Sequence, residues 1–160
     1  ALDVQFHGAI LTLYSTSDAI ERAVADADLV IGAVLVPGAA APKLVTEAMI
    51  KRMRAGSVVV DIAIDQGGCF STSRPTSHAD PVYVLHGVTH YCVTNMPGAV
   101  ARSSAQALNN ATLPYVKALA DKGWQAALAA DAGLQAGLNV VDGRVVHAAV
   151  ARDLGLPLAS

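Results

Sequence analysis

The stretch Val60-Asp61-Ile62-Ala63-Ile64-Asp65-Gln66-Gly67-Gly68 carries most of the information about the fold. An apolar run, Ser57 to Ile62, ends in a carboxylate and then meets a glycine pair that cannot continue a strand. An α/β sheet delivers an acid in this way to the crevice beyond its strand ends, where ligands bind. Two further segments fit the same edge: Gly32-Ala33-Val34-Leu35-Val36-Pro37-Gly38 and Cys92-Val93-Thr94-Asn95-Met96-Pro97-Gly98. Each is an apolar run closing on a Pro-Gly turn.

Outward from that stretch, strand-like and helix-like segments alternate over the first two thirds of the chain. Gly8–Tyr14 reads as a short β-branched strand. Ser17–Ala27 follows with helical spacing at Ile20, Ala23, Val24 and Ala27, and with Asp18 and Glu21 as a capping pair. Asp28–Leu35 is a buried-strand run, Thr46–Met53 a helix and Ser57–Ile62 the next strand; Pro81–Leu85 and Val88–Val93 are further strands. Strands separated by helices of this length predict right-handed βαβ crossovers and a parallel sheet.

After Pro97 the character changes. Ala99–Ala120 is one long Ala-rich helical pattern, interrupted by Pro114, which should bend it or end its first part. It packs in a core or at a domain or subunit interface; its small residues suit either. Gly123–Ala130 and Ala132–Leu138 read as short helices. Asp142-Gly143, flanked by Val140-Val141 and Val145-Val146, is a hairpin signal of type I′. His147–Leu154 forms a last helix with Gly155 as its stop.

The 160 residues carry a formal net charge of −2, and the basic residues are scattered without an aromatic platform. Nucleic-acid binding needs clustered Lys and Arg, so that class is excluded. No apolar stretch suits a bilayer span, and the start lacks a signal peptide's basic region. The two cysteines, Cys69 and Cys92, form no C-x-x-C pair and read as reduced thiols of a cytoplasmic protein.

No G-x-G-x-x-G is present, although the pattern otherwise reads as the second half of a dinucleotide-binding fold. The first strand behaves like the third of the order 3-2-1-4-5-6, so the strands that would lie beside it are missing. Gly8–Tyr14 then has no neighbour, and Asp28–Leu35 exposes an edge. The chain is therefore expected to be part of a longer protein. The fold class is α/β: an incomplete doubly wound parallel (Rossmann-like) sheet followed by a helical C-terminal segment.

The segments Asp28–Val45, Val60–His78 and Tyr91–Trp124, in this order and without gaps, closely resemble the C-terminal part of the L-alanine dehydrogenase family. The resemblance covers essentially the whole chain. It implies NAD-dependent, reversible oxidative deamination of L-alanine to pyruvate and ammonia, by a homo-oligomer, commonly a hexamer. It also implies that residues 1–101 finish an NAD-binding domain, while 102–160 return to a substrate domain built from both termini. The family's catalytic histidine and the basic groups that hold the substrate carboxylate would lie outside this chain, as would the acid that selects NAD over NADP.

By position, Asp65 matches the family's catalytic aspartate; a carboxylate near the reacting carbon can take protons from the amine and from water. Without the resemblance, Asp65 would equally be an acid capping a turn. Ser15, Val34, Leu35, Ile62, Asp65, Arg74, Val93, Thr94, Asn95 and Met96 fall at the family's nucleotide-contact positions. On their own residues, Val34, Leu35 and Ile62 would be core, Ser15 the start of a helix and Arg74 a surface loop residue.

Of the five histidines, His86 and His90 are four apart, but Gly87 and Val88 argue against one helix face, and no metal site is expected. His7, His78 and His147 read as surface or structural. Lys51-Arg52-Met53-Arg54 is a basic cluster at a helix end, and Ser71-Thr72-Ser73 a polar surface loop. Two other functions remain: the nucleotide-binding α subunit of a proton-translocating transhydrogenase, and a non-catalytic binding module. Asp65 speaks against the first, because a transhydrogenase has no need of the carboxylate that amino-acid chemistry uses.

Overall fold

The computed structural model describes residues 2–159. They form two compact units. One runs to Leu35 and resumes at Ala41–Thr94; the other joins Val36–Ala40 to the stretch from Asn95 onward.

The first unit holds α1 (Leu2–Gln5), α2 (Ser17–Asp26), β1 (Leu29–Gly32), α3 (Glu47–Arg52), β2 (Val58–Asp61), β3 (Val82–Leu85) and β4 (Val88–Tyr91). Thr16 caps α2, its hydroxyl accepting from the Ala19 N–H at 3.2 Å. The expected Asp18–Glu21 capping pair does not form, because Asp18 already lies inside the first turn and instead pairs with Arg22 at 2.7 Å. Thr46 caps α3 in the same manner. The basic cluster at the end of α3 makes surface pairs: Lys51 with Glu47, Arg52 with Glu21, Arg54 with Asp28.

The sheet order is β1-β2-β4-β3. β1, β2 and β4 run parallel, with Gly32 opposite Asp61 and Val60 opposite Tyr91. β3 runs antiparallel to β4, so the parallel strands carry one antiparallel edge strand. The reason is local. His86 and Gly87, at φ of 54° and 77°, form a two-residue turn, and a link that short joins only antiparallel neighbours.

The Gly8–Tyr14 segment is not a strand. No strand among the described residues pairs with it, so its backbone has no ladder to join, and Leu11, Leu13 and Tyr14 are exposed. β1 is accordingly an edge strand, as strand counting predicted.

One sheet face carries Val30, Val59, Asp61, Val88 and His90, the last four fully buried beneath α3 and the 69–70 loop, with Ile50 and Phe70 at the centre of the core. The opposite face carries Leu29, Ile31, Val82 and Val84, all exposed. Covering both faces would make a strand read apolar throughout; in these residues one face is covered.

The second unit holds a 3-10 helix (Met96–Val100), α4 (Ala101–Lys122), α5 (Trp124–Ala130), α6 (Ala132–Ala136), β5 (Val140–Val141), β6 (Arg144–Val145) and α7 (Ala148–Leu154). Of the two outcomes expected at Pro114, a bend or an end, the end does not occur: α4 runs through it from Ala101 to Lys122. Having no N–H, Pro114 cannot donate to the Asn110 carbonyl, and α4 has no buried residue. Asp142 and Gly143, at φ of 48° and 75°, make the anticipated turn between β5 and β6. His147 Nδ1 caps α7 by accepting from the Val150 N–H, and Gly155 ends it at φ 64°. Val36–Ala40 packs against α7, with the Ala40 N–H donating to Asp153 Oδ2 at 3.1 Å. No helix among the described residues is long and apolar enough to cross a membrane.

Candidate active site at the carboxyl edge of the sheet

Because β1, β2 and β4 are parallel, their carboxyl ends meet at one edge. Three segments leave from there: Ala33–Leu35 after β1, a 3-10 helix (Ile62–Gln66) after β2, and Cys92–Thr94 after β4. This edge gathers six of the residues singled out in the sequence. Asp65 is exposed on the 3-10 helix. Leu35 is 71% exposed and Ile62 53%, so neither is core in this chain, whereas Val34 packs against the core and Val93 is fully buried. Thr94 is exposed.

The other four are placed differently. Ser15 stands exposed just ahead of the Thr16 cap of α2. Arg74 lays its guanidinium 4.0 Å over the Tyr83 ring; two residues on, Thr76 pairs with Val93. Asn95 and Met96 belong to the second unit. Asn95 takes a left-handed conformation (φ 55°, ψ 48°) and begins the 3-10 helix that Met96 opens.

The residue that organises this edge was not singled out in the sequence. Asp61 is fully buried at the end of β2. Its Oδ2 accepts from the Cys69 N–H (2.9 Å), the Phe70 N–H (3.3 Å) and the Ser73 hydroxyl (2.5 Å), and its Oδ1 from the Cys69 thiol at 3.6 Å. A buried carboxylate persists when its lone pairs are filled in this way. The signal was available: two residues on from Val59, Asp61 shares its sheet face. Gly32 and Gly68 make room for the loop. A Cβ on Gly32 would stand 2.2 Å from Cys69 Sγ, and one on Gly68 2.6 Å from Asp61 Oδ2.

Ser71-Thr72-Ser73 is therefore not simply a polar surface loop: Thr72 and Ser73 are half-buried and bonded inward. Thr72 Oγ1 lies 2.9 Å from His90 Nε2, and His90 Nδ1 lies 3.0 Å from the Val88 carbonyl. A carbonyl only accepts, so Nδ1 carries the proton and Nε2 accepts from Thr72. Burial holds the His90 pKa below its ordinary value. The Tyr83 ring stacks on His90 at 4.8 Å, while its hydroxyl donates to the Thr72 carbonyl (2.8 Å) and accepts from the Arg74 N–H (3.0 Å). Burial pushes the Tyr83 hydroxyl up to about 12. Cys69 is likewise pushed up to about 11, by burial first and the Asp61 charge second. These groups hold a loop in place; their shifted pKa values suit neutral, structural side chains. Among the described residues no group of three or more His, Cys, Asp or Glu is arranged to hold a metal.

Comparison with known proteins agrees with this geometry. Residues 1–148 match the family model described as alanine dehydrogenase/PNT, C-terminal domain. The chain is 64% identical over 155 residues to an alanine dehydrogenase of Halomonas elongata, and 59% identical over 156 residues to one of Mycolicibacterium smegmatis. These alignments cover 97% and 98% of this chain but 42% of each relative, so the chain spans less than half of their length. A solved L-alanine dehydrogenase superposes with a TM-score of 0.79 at 54% identity, covering 96% of this chain. A transhydrogenase from Sinorhizobium meliloti is more distant: TM-score 0.52, 33% identity, 56% of this chain covered. With its parallel sheet edge, its carboxylate-bearing turn and these matches over almost its full length, the chain belongs to the alanine dehydrogenase/PNT family, whose C-terminal domain it carries.

Proposed function

We propose that this chain is the C-terminal part of an NAD-dependent alanine dehydrogenase, which converts L-alanine reversibly to pyruvate and ammonia. The observation that carries the reading is Asp65, an exposed carboxylate on a single 3-10 turn at the carboxyl edge of a parallel sheet, within a chain that matches alanine dehydrogenases along 97% of its length. The match to the transhydrogenase covers much less of the chain, which favours the dehydrogenase.

The edge suits a nucleotide: exposed apolar side chains at Leu35 and Ile62 offer flat surface to a base or nicotinamide ring, with Thr94 and Asp65 as polar neighbours. On this reading Ser15, Val34, Leu35, Ile62, Arg74, Val93, Thr94, Asn95 and Met96 would hold NAD, which when bound would supply the hydride acceptor. Asp65 moves the protons. It accepts one from the substrate amine or from the attacking water as the carbon–nitrogen bond is converted, and it returns one in the amination direction. Residues 1–101 belong to the nucleotide domain and 102–160 to the substrate domain, the working assembly being a homo-oligomer.

The test is Asp65→Asn in the full-length protein. Turnover is expected to fall by about 10²–10⁴-fold, with NAD affinity little changed. Near-normal turnover would overturn the role of Asp65.

A further inference from the structure

Two ionic groups of opposite sign grip the loop that follows the Asp65 turn. From one side, the Asp61 carboxylate takes the amides of Cys69 and Phe70 and the hydroxyl of Ser73. From the other, Lys43 Nζ donates to the carbonyls of Gly67 and Phe70, the second at 3.3 Å. The Phe70 peptides are thus held at both ends, N–H on the anion and C=O on the cation, while its ring is fully buried. The backbone around Lys43 is itself tied to the loop: the Ala41 N–H donates to the Gln66 carbonyl at 2.8 Å, and the Leu44 N–H to the Cys69 carbonyl at 2.9 Å.

The grip closes on Asp65 from both directions along the chain. Asp61 is the residue from which the 3-10 helix starts, and Gly67, whose carbonyl Lys43 holds, is the residue that ends it at φ 90°. Asp65 itself is exposed and stands on five residues of backbone between those two points. A five-residue 3-10 turn has little stability of its own, so its geometry comes from its ends. We infer that Lys43 and Asp61 are positioning residues, a charged clasp that sets where the Asp65 carboxylate stands; this rests on the proposed role of Asp65. A displacement of about 1 Å in a catalytic group costs on the order of 10²-fold in rate, so a clasp of this kind is worth keeping rigid.

The experiment uses the full-length protein and compares Lys43→Met, Lys43→Arg and Asp65→Asn. kcat and KM for L-alanine and NAD are measured across pH, together with the melting temperature. Lys43→Met is expected to lower kcat by about 10-fold or more, to leave KM for NAD within about 3-fold, and to displace the pH-profile limb that Asp65→Asn abolishes. Lys43→Arg, which keeps the cation and its donors, should recover most of the rate. A folded Lys43→Met protein with kcat within about 2-fold of the parent and an unmoved pH profile overturns the clasp, even where Asp65→Asn is inactive. Normal turnover in Asp65→Asn overturns the catalytic reading and the clasp with it. Should Lys43→Met fail to fold, Ser73→Ala carries the same test from the opposite side, since it removes one donor from Asp61; a smaller loss in kcat with the same profile shift supports the clasp, and no shift overturns it.

Discussion

Asp61 and Gly68 are fitted to one another: the carboxylate Oδ2 occupies the space in which a side chain at residue 68 would begin, 2.6 Å from where a Cβ would stand. Gly68 also sits at φ +78°, a conformation that side-chain-bearing residues seldom adopt. Gly68→Ala is therefore expected to destabilise the protein by about 1–3 kcal/mol or more, from strain and clash together. Gly67→Ala is the control. It shares the left-handed backbone (φ +90°) but has nothing within 4 Å of the added carbon, so it carries strain alone. Denaturant unfolding of the two variants measures the difference; equal losses would show that the contact with Asp61 contributes nothing.

Gly32 is a second case, with ordinary backbone. Its missing Cβ would meet Cys69 Sγ at 2.2 Å and Phe70 Cε2 at 2.6 Å. Gly32→Ala should cost about 1–3 kcal/mol by overpacking. Adding Cys69→Ala removes the nearer obstacle, so the double variant should be more stable than the sum of the single losses predicts. A double-mutant cycle checks this, and strict additivity would contradict it.

Cys69 should resist alkylation in the folded protein. It is buried, and its thiol is pushed up to about 11 by that burial and by the neighbouring Asp61 charge, so little thiolate exists near pH 8. Iodoacetamide labelling followed by peptide mass mapping should find residue 69 unmodified under native conditions and modified in denaturant. Fast native labelling would show that the loop opens readily.

His90 makes stability depend on acidity. Burial holds its folded-state pKa below the ordinary 6.5, so the folded state keeps the ring neutral while the unfolded chain takes up a proton as pH falls below about 6.5. The unfolded state then binds more protons, and stability should fall as pH drops from about 6.5 toward 5. Replacing the ring by His90→Gln should flatten that slope, whatever it does to stability at neutral pH. Unfolding free energies at several pH values test this; an unchanged slope would assign the acid sensitivity elsewhere.

Much of the fold was legible because its signals are local. Asp142-Gly143 demanded a tight hairpin turn, Gly155 a helix stop, and the Ser57–Ile62 run a strand; each is found where its chemistry placed it. What escaped depended on partners distant in sequence. Gly8–Tyr14 has strand composition but, among the described residues, no strand beside it. Tyr83 and His90 stack because the hairpin puts them directly opposite each other, which no periodicity reveals. At the candidate site, the Asp65 position was legible from its turn and its resemblance, while Asp61 was passed over for the same letter four residues later. Lys43 could not have been found at all, since its bonds run to backbone carbonyls more than twenty residues away.

Asp61 and Asp65 also bear on how much sequence must travel together for this edge to be rebuilt elsewhere. Moved to another sheet, the nonapeptide Val60–Gly68 would bring the exposed acid but neither the amides that neutralise the buried one nor the lysine beyond it. On its own it would present two carboxylates, one of them a liability in the host's interior. The shortest piece that holds both grips runs from Ala41, whose amide meets Gln66, to Ser73, whose hydroxyl meets Asp61. Recombination or grafting that cuts inside those limits separates the acid from its scaffold.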